Sequence, residues 1–175
     1  MFDKEFVLKI ADFGFAKACE AGKLTTYLGT ASYMAPEIHL RQAYDGKSVD
    51  LFAAGIVLFI MYSGTPPFGK ALPSDPYYKL LCTRKQRTFW AAHSRNKPKD
   101  YYSAEFKDLI QGMFQFDPKL RPTLDQVKGH PWFKKEVLTQ EEITQRFAQR
   151  KQQIEEAHER ERLARIQVME GQHTY

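Results

Sequence analysis

The sequence predicts a mainly α-helical fold that opens on a short β remnant and closes on a long helix, and three observations carry that reading. Phe106, Leu109, Ile110 and Met113 recur at spacings of three and four, which places them on one face of a helix. Leu51 to Tyr62 is an apolar run that stops at Gly64 and Pro66-Pro67, as a buried helix would. Thr139-Gln140-Glu141-Glu142 has the form of a capping box, in which hydroxyl and carboxylate each take the other residue's backbone amide.

Taken in order, Phe2-Asp3-Lys4-Glu5-Phe6 carries turn formers followed by β-prone Phe6, Val7 and Ile10, so a strand is expected to deliver Asp12 at its end. Residues 15 to 34 read as loop, polar and punctuated by Gly22 and Gly29. Asp45-Gly46 marks a turn, and Ser48 is expected to cap a helix beginning near Asp50. Helices follow over 103–115 and from Thr123 to about Gly129. After Phe133 a second segment begins, with Leu138 and Ile143 placed as a hydrophobic staple around the capping box. Glu142 with Arg146, Glu156 with Arg160 and Glu161 with Arg165 are four apart in the favourable order, each pair adding about 0.2 to 0.5 kcal/mol. Only Ile143, Phe147, Ile154, Ala157, Ala164 and Val168 line its inner face, and Arg150 and Glu161 interrupt them, too thin a stripe for a coiled coil. The expected organisation is one domain over residues 1–133 and a charged helical extension over 134–175 that docks on that domain or on a partner.

Composition narrows the class. A chain of 175 residues with 43% apolar and 14% aromatic residues is long and apolar enough for one core. Cys19 and Cys82 make neither a disulfide framework nor a metal site of usual spacing, which points to a reducing, cytoplasmic setting. The apolar run from Leu51 falls short of a membrane span and no signal segment is visible, so no membrane role is expected. The net charge of +5 lies wholly in residues 1–133, with 18 Lys/Arg against 13 Asp/Glu, because residues 134–175 carry eight of each. Lys79, Arg84, Lys85, Arg87, Arg95, Lys97 and Lys99 follow one another with no acid between. This run reads first as a solvated face and connecting loop, and otherwise as a patch for an acidic protein. Nucleic acid is not expected, since no recognition motif or aromatic interleaving accompanies it.

The motifs are more specific than the composition. Asp12-Phe13-Gly14 is followed 21 residues after Gly14 by Ala35-Pro36-Glu37, and that ordered pair brackets a kinase activation segment over 12–37. Gly29 to Glu37, Ser48 to Gly55, Gly64-Thr65-Pro66-Pro67-Phe68, Phe116-Asp117-Pro118 with Leu120-Arg121-Pro122-Thr123, and His130-Pro131-Trp132-Phe133 follow in compatible order. Through these residues the chain resembles the large C-terminal lobe of eukaryotic serine/threonine protein kinases over about residues 1–133. In look it is nearest the calmodulin-dependent and related kinases, although the charge-balanced tail argues against a calmodulin site.

The resemblance implies a partial protein-kinase-like fold, ATP and Mg2+ as cofactors, and a protein Ser/Thr hydroxyl as target. It implies that Asp12 is the magnesium ligand, with Phe13 packed inward and Gly14 a flexible joint. Thr26, three residues before Gly29, matches an activating phosphothreonine set by an upstream kinase, preferred over Thr25 or Tyr27, and Lys17 matches a cation that receives the phosphate. Thr30 resembles the hydroxyl that supports the catalytic groups and marks a Ser/Thr rather than a tyrosine kinase. Glu37 and Arg121 resemble the buried ion pair beneath the activation segment, and Asp50 the anchor of the catalytic loop. Phe52 stands where tryptophan is common.

No Gly-x-Gly-x-x-Gly occurs, and none of His39, His93, His130, His158 or His173 opens a His-Arg-Asp. Glycine loop, nucleotide lysine, catalytic loop and the upstream small-lobe segment are therefore missing, so the 175 residues alone are expected to be inactive and to bind magnesium nucleotide weakly. Two functions follow: part of an ATP:protein phosphotransferase, or a non-catalytic kinase-lobe module that binds or scaffolds. Retained Asp12, Thr26 and Thr30 favour the first, since a binding module needs neither a magnesium ligand nor an activation site.

Overall fold

The computed structural model describes residue 3, residues 5–17 and residues 23–171, with side chains described as far as residue 166. Met1, Phe2, Cys19, Gly22 and the side chain of Val168 lie outside the described residues. Among the described residues the α-helices are α1 (Pro36–His39), α2 (Gly46–Ser63), α3 (Pro76–Cys82), α4 (Gln86–Ser94), α5 (Ala104–Met113), α6 (Leu124–Gly129) and α7 (Gln140–Gly171), with 3-10 turns at Ala31–Tyr33 and Pro118–Leu120. The chain divides into two units, residues 14–135 and residues 1–13 with 136–175.

In the smaller unit the expected strand over Phe6 to Ile10 does not form among the described residues; within that stretch Leu8 alone has a bridge. Asp3 turns the chain instead: its Oδ1 accepts from the amides of Glu5 at 3.1 Å and Val7 at 2.8 Å, and its carbonyl takes the amide of Phe6 at 3.0 Å. A side chain that captures amides locally competes with a ladder that would need them. Phe6 takes a φ of 60°, and Ile10 is left 85% exposed. The ring of Phe6 stacks on that of Phe147 in α7, 5.2 Å between centroids, which accounts for the grouping of these two stretches. The start of α7 follows the sequence: the Thr139 amide donates to Glu142 Oε2 at 2.8 Å, and the Glu142 amide to Thr139 Oγ1 at 3.2 Å. Along α7 the pairing differs from expectation at Arg160, whose Nε donates to the carbonyl of Glu156, while that carboxylate accepts from Gln152.

The larger unit is built around α2. Asp45, not Ser48, caps it, accepting the Ser48 amide at 2.9 Å, so the helix starts at Gly46 rather than near Asp50. It stops where the sequence predicts, at Gly64 with φ 77°, whose amide donates to the carbonyl of Ile60. By length and composition α2 could cross a membrane, but Val49, Phe52, Ile56 and Phe59 are buried in the protein core. They meet the predicted face of α5, where Phe106, Leu109, Ile110 and Met113 are all buried. Gly55 allows this approach, because a Cβ there would stand 3.1 Å from Met113 Cβ and from Phe114 Cε1.

α3 and α4 occupy the stretch that reads as a basic loop. Asp75 caps α3, with Oδ1 accepting from Tyr77 and Tyr78, each at 2.9 Å, and Pro76 supplies a preset φ in the first turn. Tyr78, Phe89 and Trp90 are buried, and Phe59 stands 6.1 Å from Phe89 and 6.0 Å from Trp90. Aromatic burial thus outweighs the charge of the segment, whose cations stay on its outer side. Thr123 and Gln126 cap α6 reciprocally, the amide of Thr123 donating to Gln126 Oε1 at 2.8 Å.

Candidate functional site

The site rests on a buried ion pair between residues 84 apart in sequence. α1 turns Glu37 inward, and the extended backbone after the Pro118–Leu120 turn delivers Arg121 to meet it. Arg121 Nη1 donates to Glu37 Oε1 at 2.7 Å and Nη2 to Oε2 at 2.6 Å, with the two side chains only 1% and 4% exposed. Its Nε donates to the carbonyl of Gln115 at 2.9 Å, Nη1 reaches the carbonyl and hydroxyl of Ser48, each at 3.3 Å, and the guanidinium stands 4.9 Å from the Phe52 ring. A planar fork with five donors fits this set of acceptors; a point-charge lysine would not. Phe52, standing where tryptophan is common, still offers that guanidinium an aromatic face.

The segment leading to α1 is pinned at one place. Leu24 and Tyr44 exchange backbone hydrogen bonds of 2.8 and 2.9 Å, and the Tyr44 hydroxyl donates to the carbonyl of Thr26 at 2.8 Å. Thr26 is thereby set beside Lys17, whose Nζ donates to Thr26 Oγ1 at 3.4 Å. Both line a cleft of about 560 Å3 with Lys47 and Asp50 on its α2 side. Partial burial, and then the negative charge of Asp45, push the Asp50 carboxyl above its ordinary range. Tyr27 lies under the guanidinium of Arg41 at 4.9 Å. Tyr44 and Arg41 are the residues that sequence reasoning missed; an aromatic one position before the Asp45-Gly46 turn was the available signal.

Thr30 precedes the Ala31–Tyr33 turn, accepting the Tyr33 amide on its carbonyl at 3.0 Å, and its side chain is exposed. Gly29 before it takes φ 117°, a conformation that L side chains rarely adopt. His39 Nε2 donates to the carbonyl of Ala31 at 3.1 Å, tying the turn to α1, and burial followed by the charge of Lys70 holds its pKa below the usual value.

Asp12 belongs to the smaller unit, exposed and at φ 65°. A magnesium ion carried on substrate phosphates needs only one or two protein carboxylates, so a single exposed aspartate suits it as a donor. Among the described residues no group of three or more His, Cys, Asp or Glu forms a metal cluster. Phe13 departs from expectation: it is 68% exposed rather than packed inward, and neither buried cluster takes it in.

Residues 1–133 match the family model of the protein kinase domain. The chain is similar to the SNF-related serine/threonine-protein kinase of Homo sapiens, 36% identical over 132 residues, covering 75% of this chain and 16% of that protein. It is also similar to the probable serine/threonine-protein kinase fhkC of Dictyostelium discoideum, 38% identical over 149 residues, covering 81% of this chain and 22% of that protein. With CBL-interacting protein kinase 11 of Oryza sativa subsp. japonica the identity is 33% over 145 residues, covering 78% of this chain and 26% of that protein. The chain thus spans between 16% and 26% of the length of these relatives. With a match that takes in the ordered motifs, the buried Glu37–Arg121 pair and the pinned segment before α1, the chain belongs to the eukaryotic serine/threonine protein kinase family.

Proposed function

We propose that these residues serve an ATP:protein phosphotransferase that modifies serine or threonine hydroxyls, and that its activity is switched by a phosphate on Thr26. The observation that carries the switch is Lys17 Nζ at 3.4 Å from Thr26 Oγ1, in a segment already held by Tyr44. A phosphate adds a charge of about −1.5 to −2 and three strong acceptors, and a lysine beside its hydroxyl is placed to receive them. An upstream activating kinase supplies that phosphate. Residues 1–133 act as the lobe that presents the protein substrate, and residues 134–175 as its helical extension.

Asp12 would hold magnesium, which on nucleotide phosphates neutralises charge on the transferring group. Thr30, beside the exposed turn at Ala31–Tyr33, orients the catalytic groups against the incoming hydroxyl, and Asp50 anchors the catalytic loop. Glu37 and Arg121 keep the floor of the segment fixed, so its outer part can order without moving its base. The 175 residues alone carry no His-Arg-Asp base, and transfer no phosphate by themselves. Phosphopeptide mapping of protein isolated in active form is expected to find Thr26 modified, and Thr26→Ala to lower activity by at least about tenfold, as expected when an ordering phosphate is lost. Active protein carrying only unmodified Thr26 overturns the proposal.

A further inference from the structure

The corner between α3 and α4 carries charge that the fold does not use. Lys79 lies on α3, Arg84 and Lys85 make the turn, and Arg87 stands in the first turn of α4. All four are exposed, and no acid lies between Asp75 and Asp100 in sequence. Lys97, further along the same run, is spent differently: its Nζ donates to the carbonyl of Ser63 at 2.7 Å and lies 4.9 Å over the Tyr101 ring. Among the described residues the four at the corner have no such engagement.

Beside them opens a cleft of about 360 Å3 lined by Arg84. Leu81, Phe116 and Leu120 give it an apolar wall, with Phe116 40% and Leu120 66% exposed. Gln86, Gln111 and Gln115 give it amide groups. Gln111 Nε2 donates to the carbonyl of Lys107 and Gln115 Nε2 to that of Gln111, so each has committed its donor end within α5 and the turn after it. The one carboxylate on the rim, Asp117, accepts from the amide of Lys119 at 2.9 Å and caps its own turn. Cys82 also lines the cleft, and burial raises its pKa, so it contributes a neutral thiol rather than a charge.

From this combination we propose that the α3–α4 corner is a docking site for an acidic segment of a partner protein that carries an apolar side chain among its carboxylates. The cations take the carboxylates, as arginine clusters do in acidic-motif recognition. The apolar wall takes the side chain, and the free amide oxygens accept from the peptide backbone. A nucleic-acid duplex, with its bases stacked inside, would use the rim and leave the cleft empty, and among the described residues the cleft shows no exposed aromatic stacking platform for unpaired bases beyond Phe116, so a protein segment fits better. Docking needs no phosphate transfer, so its failure and that of the phosphotransferase reading are separately visible.

The test is fluorescence anisotropy of the 175-residue chain with a labelled peptide, Glu-Glu-Glu-Leu-Phe-Glu-Glu-Glu, without nucleotide. Binding is expected to weaken about tenfold or more in a variant combining Arg84→Glu, Lys85→Glu and Arg87→Glu, and to fall steeply with salt. Leu120→Asp is expected to weaken it as well, and an all-glutamate peptide of equal length to bind about tenfold less tightly. Circular dichroism and melting of each variant check folding, and Lys85→Gln with Arg87→Gln offers a milder pair if the reversal unfolds the protein. Equal affinity for both peptides, unchanged binding in the variants, or tighter binding to single-stranded RNA or to phosphatidylserine vesicles would overturn the proposal.

Discussion

Replacing Arg121 by methionine keeps an unbranched apolar stem and removes the guanidinium that stands over Phe52. Glu37, its side chain 4% exposed, then loses both of its 2.6 and 2.7 Å donors and is left as a buried charge. Stranding one member of such a pair costs about 3 to 5 kcal/mol. The carbonyls of Gln115 and Ser48 lose their Arg121 donor too, which places the effect at the upper end. Since a domain of this size is stable by about 5 to 15 kcal/mol, Arg121→Met should lie close to unfolding. Urea denaturation followed by the fluorescence of Trp90 and Trp132 measures it. Glu37→Leu in the same background should recover much of the loss, because the stranded charge is gone, and the pair should couple by at least about 2 kcal/mol. Arg121→Lys should fall between, keeping charge without the fork. If Arg121→Met costs less than about 1 kcal/mol, as an exposed pair would, or if the single effects simply add, the buried-pair argument is wrong.

Two further outcomes follow from packing and from titration. Gly55→Ala sets a helix-propensity gain of about 1 kcal/mol against overpacking that costs about 1 to 3 kcal/mol. With Met113 Cβ only 3.1 Å away and fixed to the backbone of α5, overpacking should win and the melting temperature fall; a rise would show that α2 and α5 are looser than described. His39 and His93 both have pKa values lowered by burial, so the folded chain binds fewer protons than the unfolded one. Their contribution is full above the ordinary histidine pKa and declines as pH falls below it. Stability should therefore drop between about pH 7.5 and pH 5.5, with a shallower slope in His93→Gln; an identical slope in that variant would remove His93 from the account.

What was legible in the sequence was whatever a short window decides. The capping box at Thr139, the glycine stop at Gly64 and the buried face of α5 each depend on residues within a turn or two of one another. The partnership of Glu37 with Arg121 spans 84 positions and could be named only by resemblance, since no local pattern selects one arginine among many. α3 and α4 were hidden because seven cations dominate the composition of a stretch whose buried aromatics decide its structure. The strand over Phe6 to Ile10 failed for the converse reason: β-prone residues need a partner strand, and Asp3 offered the backbone a nearer acceptor.

The Leu24–Tyr44 bridge has a mechanical consequence. A loop held only at its ends relaxes as one body, whereas a loop riveted part-way has two spans with separate compliance. Here the rivet falls two residues before Thr26, and the Tyr44 hydroxyl grips the carbonyl of that residue. A chemical change at Thr26 therefore acts at a fixed point of the loop rather than at the crest of a floppy arc. Less of its effect is dissipated in slack, and more is passed along the backbone toward Gly29 and the turn that follows.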